Sequence, residues 1–310
     1  MRDHVRMSMI YLLLAALLAV VPVGIARHML SISRTDAFIP DRPNYLAHQY
    51  PPKGEAELTS RLAKLLNNSM KAVGAVPRIF MAKLPEDLPE IDVIVEKKRL
   101  FVSSLLPLVL RANELIVADR GRLLTIRHKI EQHEKLTKPE AQWLRKTARE
   151  YREKLPLKVE ASHIDSLLLK IDVIPPSLAI AQAAIESAWG TSKFAQKGNA
   201  LFGEWVWGHS AKGIIPERRL EGKTHKVKSF DYLLDSVRSY MRNLNRHQTY
   251  HGLRTLRAEM RYNGEVLTGA LLAPALVTYS ERGVEYVDDV VSIIRYNDLD
   301  VLDNASLSNS

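Results

Sequence analysis

Apolar and polar positions alternate along the chain in patterns that predict helices almost throughout. An uncharged run covers residues 7–26, with Arg2 and Arg6 before it and Arg27 and His28 after it. Twenty such residues are long enough to cross a bilayer core of roughly 30 Å as a helix. Positive charge on its N-terminal side keeps that end in the cytoplasm. Gly24 and Ala26 offer small residues for cleavage, so residues 1–30 read as a signal peptide or an uncleaved signal anchor. Residues 31–75 hold turn and linker chemistry, such as Tyr50-Pro51-Pro52-Lys53-Gly54. A short helix is expected at 55–66.

Residues 76–158 predict a helical module. Leu100, Leu105, Leu108, Leu115 and Ile116 form an apolar stripe that Pro107 should break. Thr137-Lys138-Pro139-Glu140 is a capping box with proline just inside the helix, which should run to about Lys154. Residues 159–302 change in texture, and 303–310 read as a flexible tail. Ser177 suits an N-cap, and the helix after it is apolar nearly all round, which predicts burial. Residues 231–246 form an amphipathic helix suited to flooring a cleft.

Glu186 is the one charged group between Asp172 and Lys193. Burial disfavours the charged form of a carboxylate and raises its pKa. The neutral acid can then donate a proton to a leaving glycosidic oxygen. A buried Glu that pairs with an arginine or caps backbone is the competing reading. Trp189, Trp205 and Trp207 cluster with Gly190, Gly198 and Gly203. Trp205 and Trp207 alternate, so an extended backbone points them the same way, either onto sugar faces or into the core.

Composition then narrows the partners. A net charge of +9 favours an anionic partner. The export segment argues against nucleic acid and for an anionic cell-wall polymer. The absence of cysteine excludes disulfide scaffolds, thiol nucleophiles and cysteine-ligated metals. His247 and His251 stand one turn apart, but neither the accompanying Glu nor a third ligand of a zinc hydrolase is evident. No metal or cofactor is expected.

The string Ala181-Gln182-Ala183-Ala184-Ile185-Glu186-Ser187-Ala188-Trp189-Gly190, followed by Asn199-Ala200-Leu201-Phe202-Gly203, resembles the mannosyl-glycoprotein endo-β-N-acetylglucosaminidase family. Tyr240-Met241-Arg242-Asn243-Leu244-Asn245 and Tyr279-Ser280-Glu281-Arg282-Gly283 are similar to its Bax-type branch in Gram-negative bacteria. The resemblance implies a mainly α, lysozyme-like α+β domain with a small β-lobe, and a periplasmic location facing or tethered to the inner membrane. It implies peptidoglycan as substrate and cleavage of the β-1,4 bond after N-acetylglucosamine, with Glu186 as the acid. Gln182, Trp189, Asn199, Phe202, Trp205 and Trp207 are candidate substrate contacts, and the two tyrosine positions that the resemblance implies beside the cleft fall on Tyr279 and Tyr286. Members often carry a second Glu in the β-lobe. Glu217 is the candidate here, with Glu221 behind it, although Arg218 and Arg219 could make it a plain ion pair. A substrate acetamido group or a water is the alternative nucleophile. The chain differs from the pattern at Ala188, where glycine is usual, and at Ala200, where asparagine is usual. A lytic transglycosylase on the same fold and a non-catalytic wall-binding protein are the competing functions.

Overall fold

The computed structural model describes residues 76–208, 210–216 and 224–308. The expected export segment, the tether and its short helix lie outside the described residues, as do Glu217 and Glu221. The described chain is mainly helical. Its helices are α1 (Ile94–Glu131), α2 (Lys138–Glu150), α3 (Ala161–Lys170), α4 (Pro176–Ser187), α5 (Lys193–Gly198), α6 (Leu233–Arg246), α7 (His251–Tyr262), α8 (Gly269–Leu272) and α9 (Val284–Tyr296). Three short strands, β1 (Trp205–Val206), β2 (Gly213–Ile214) and β3 (Lys226–Lys228), form an antiparallel sheet with β3 in the middle.

Helix α1 is the central pillar. Residues 100–112 are buried on every side, and Pro107 sits inside a helix that runs through it without a break. The expected interruption does not occur, in a helix that packs along its length against α3, α4 and α6. Their support offsets the one backbone bond that proline removes. By length and composition α1 could cross a membrane, yet most of its apolar stretch is covered by protein. The capping box is present: Thr137 accepts from the Glu140 amide, and Glu140 Oε2 accepts from the Thr137 amide at 2.8 Å. Helix α2 ends at Glu150, where Tyr151 caps it and Arg152 turns into the left-handed region.

Helix α4 starts two residues earlier than expected, at Pro176, and its cap comes from far along the chain. Ser177 lies inside the first turn. Asp303 accepts the Ser177 amide at 2.8 Å, the Ser177 hydroxyl at 2.7 Å and the Gly269 amide at 2.9 Å. One carboxylate therefore satisfies orphan donors of both α4 and α8. The stretch expected as a flexible tail is anchored as far as Ser308. Leu307 is buried, and Val76 pairs with the backbone on either side of it.

A buried charge cluster joins the elements under the start of α4. Arg261 of α7 grips Asp172 with two bonds of 2.6 and 2.7 Å. Arg120 of α1 and Arg257 of α7 approach the same carboxylate at 3.6 and 3.9 Å. Arg257 also donates to the backbone oxygens of Asp172 and Val173 and to Asn245 of α6. Burial alone would raise the Asp172 pKa, but Arg120, Arg261 and Arg257 together outweigh it and hold the carboxyl far below its usual range.

Asp172→Ala is expected to destabilise the fold by about 3–5 kcal/mol in urea unfolding, because three guanidinium groups lose their counter-charge. A loss below about 1 kcal/mol, the size of a surface pair, would contradict this. The folded pKa lies below the unfolded one. The stabilisation is therefore complete above the ordinary Asp value of about 3.9 and fades as pH falls through the lowered value.

Candidate active site

Helix α4, which carries the candidate acid Glu186, is buried because its sequence leaves it nowhere else to go. Leu178, Ala179, Ile180, Ala181, Ala183 and Ala184 bury every face. Glu186 is its penultimate residue and is half-buried. Beyond it the backbone turns through three left-handed residues, Ala188, Trp189 and Gly190, with φ of 51°, 56° and 78°. Two of these carry side chains, and such residues cost of order 1–3 kcal/mol each. The Ser187 hydroxyl helps to hold the turn by accepting the Gly190 amide at 2.8 Å. A Cβ on Gly190 would lie within 2.9 Å of Leu84, Leu88 and Phe101. The upstream helical region thus packs directly against the end of the Glu186 helix.

The Glu186 carboxylate meets a group of tyrosines. Tyr286, near the start of α9, donates its hydroxyl to Glu186 Oε1 at 3.0 Å. Gln182, one turn before Glu186, donates from Nε2 to the Tyr286 hydroxyl at 2.9 Å. Tyr240 of α6 donates to Gln182 Oε1 at 2.6 Å. Tyr279 stacks on Tyr286 with centroids 5.3 Å apart, and Tyr250 tilts against Tyr279 at 5.9 Å. Burial raises the Glu186 pKa, and the bond from Tyr286 offsets this only in part. The phenols are pushed up as well, again chiefly by burial, so they stay neutral where Glu186 titrates.

The other wall is the turn after α5. Asn199, left-handed at φ 52°, caps α5 and donates to the carbonyls of Phe230 and Asp231, both at 3.2 Å. It holds the turn although Ala200 follows it. Phe202 lies flat on Tyr240 with centroids 3.9 Å apart. Gly203 has φ +62°, and a Cβ there would stand 3.6 Å from Glu186 Oε2. Glu204 follows directly. Its Oε2 accepts from Ser239 at 2.8 Å and Lys228 at 3.2 Å, which fastens the sheet to α6.

The expected site residues therefore divide into two groups. Trp205 and Trp207 are 54% and 67% exposed, with rings 6.5 Å apart, and Trp205 stacks on His225 at 4.2 Å. They present flat faces to solvent beside the turn that meets Glu186. Gln182 is fully buried and Tyr286 is 2% exposed, so both face protein and act through neighbours. Asn199 and Phe202 are likewise buried and shape the turn. Trp189 points at the upstream module, edge-on to Phe101 at 5.7 Å and under Lys98 at 4.7 Å. Sequence reasoning missed Tyr240, Tyr250 and Glu204 as site neighbours. Glu204 had a signal, since it is the residue after the glycine turn. Tyr240 had a weaker one, on the apolar face of the helix expected to floor the cleft.

A family model, mannosyl-glycoprotein endo-beta-N-acetylglucosaminidase, matches residues 161–299. The chain is also similar to Protein bax of Escherichia coli K12. The two are 30% identical over 191 residues, which are 61% of this chain and 66% of that protein. The chain thus spans just under two thirds of the length of this relative. No solved structure matches it. The family match takes in Glu186 and its left-handed turn, the glycine turn facing Oε2, the three strands and the paired tyrosines of the C-terminal region. On that footing residues 161–299 belong to the mannosyl-glycoprotein endo-β-N-acetylglucosaminidase family of glycoside hydrolases.

Proposed function

We propose that the protein is an exported peptidoglycan hydrolase that cleaves the β-1,4 bond after N-acetylglucosamine, with Glu186 as general acid. The observation that carries this reading is the desolvated carboxyl at the end of α4, raised in pKa and held by one phenol hydroxyl. A neutral carboxyl next to an open glycan surface can protonate the leaving oxygen as the glycosidic bond breaks. Trp205 and Trp207 supply that surface, since exposed rings stack on the apolar faces of pyranose units. Residues 159–302 form the catalytic domain, and residues 76–158 support it. Residues 7–26 place the domain in the periplasm, and if they are uncleaved they tether it to the inner membrane. The net positive charge then suits an anionic wall polymer.

Glu186→Gln is expected to cut muropeptide release from sacculi about 10²- to 10⁴-fold while leaving the thermal unfolding transition in place. Full activity in that variant would overturn the assignment. Mass spectrometry of the wild-type digest should find reducing-end N-acetylglucosamine, whereas anhydromuramic ends would make the protein a lytic transglycosylase. Binding to sacculi with no product at any pH would make it a wall-binding protein.

The pH profile carries a sign. Glu186 must be protonated to act, and its pKa is raised. The basic limb of kcat should therefore fall above the ordinary Glu value of about 4.3. Activity already lost at that value would contradict a desolvated acid. Trp205→Ala and Trp207→Ala should each raise KM about 3- to 10-fold with little change in kcat, which reflects the loss of one aromatic stack.

A further inference from the structure

We propose that Gln182 is a positioning residue that decides which oxygen of Glu186 carries the transferable proton. The proposal rests on Glu186 being the acid. Gln182 lies one turn before Glu186 on α4 and has no exposed surface. Both ends of its amide are occupied, by the Tyr240 hydroxyl at 2.6 Å and the Tyr286 hydroxyl at 2.9 Å. A phenol has one proton to donate. Once the Tyr286 oxygen accepts from the amide, that proton is directed to Glu186 Oε1 at 3.0 Å. Oε1 is then an acceptor, and the proton of the neutral acid resides on Oε2. Oε2 is the oxygen turned toward Gly203, where the chain leaves for β1 and the exposed tryptophans.

Tyr240 sets the polarity of the chain of bonds. Its hydroxyl is buried, and Gln182 Oε1 is its acceptor. Turning the amide over would point an NH₂ group at that hydroxyl and strand a buried O–H proton, which is unfavourable. The direction therefore runs from Tyr240 through Gln182 and Tyr286 to Glu186. In the reaction the Oε2–H bond breaks and the leaving oxygen takes the proton. The C–O bonding pair stays with that oxygen, and negative charge grows on Glu186. The bond from Tyr286 to Oε1 becomes charge-assisted at that moment and strengthens.

The groups around Glu186 do not compete with this arrangement. Tyr240 from α6, Tyr250 from the 3-10 turn Gln248–Tyr250, Tyr279 after the turn Ala273–Leu276, and Tyr286 from α9 are all kept neutral by burial. Glu204, from the sheet side, is paired with Lys228.

The test is a double-mutant cycle in the full chain, with kcat and KM followed against pH on soluble peptidoglycan fragments. Gln182→Met and Tyr286→Phe should each lower kcat about tenfold, leave KM nearly unchanged and move the basic limb to higher pH. The double variant should be no worse than Tyr286→Phe alone. Tyr240→Phe, which removes only a hydroxyl, should shift the limb the same way by less and covers the case in which Gln182→Met misfolds. Additive losses, an unmoved limb or a downward shift would overturn the proposal, since a downward shift means Tyr286 accepts from the protonated acid. Glu186→Gln is run beside them. If it is active, the assignment of the acid fails. If it is inactive while the cycle is additive, only the role of Gln182 fails.

Discussion

Withdrawing one carboxylate from water constrains the rest of this structure. An ionised Glu half-buried at the end of a helix that is apolar on all sides has little solvent to compensate it, so it binds its proton more tightly. A deeper burial with no partner would make it an inert neutral group. The single phenol bond from Tyr286 keeps the ionised form within reach. The surroundings serve this balance. The tyrosines are low-dielectric walls that do not titrate in the same range, and Gly203 takes a left-handed backbone conformation beside Oε2.

That balance requires a rigid helix, and rigidity comes from distant parts of the chain. Asp303 caps the start of α4 across 126 residues of sequence. Asp172 and its arginines hold α1, α6 and α7 together beneath it. Leu84, Leu88 and Phe101 close on Gly190 at its far end. The buried apolar residues run in one cluster from Val76 to Leu307, through α1 and the family-matched region alike. The helical region upstream is thus part of the same packed interior as the Glu186 helix. Left-handed strain at Ala188 and Trp189 is sustained by this packing, as expected where a backbone is over-determined by its neighbours.

What the sequence disclosed follows from range. Glu186 stood out because periodicity and charge are local properties, and the Thr137–Glu140 capping box is read within four residues. The exposure of Trp205 and Trp207 was left open, since alternation fixes that two rings share a side but not which side is wet. Pro107 misled because a break is a local tendency that three packed helices override. Asp172 with Arg257, and Ser177 with Asp303, pair across 85 and 126 residues and carry no local pattern. Gln182 was expected at the substrate. Its position one turn from Glu186 was legible, but its burial between two tyrosines from other helices was not.

The most direct measurement is the proton affinity of the Glu186 carboxyl itself, by isotope-edited infrared titration of the folded protein with Glu186→Gln as the blank. A carboxyl band that persists well above the ordinary Glu value of about 4.3 is the expected result. A band already lost at or below that value would show an ionised, solvated side chain and would contradict the assignment of Glu186 as the acid.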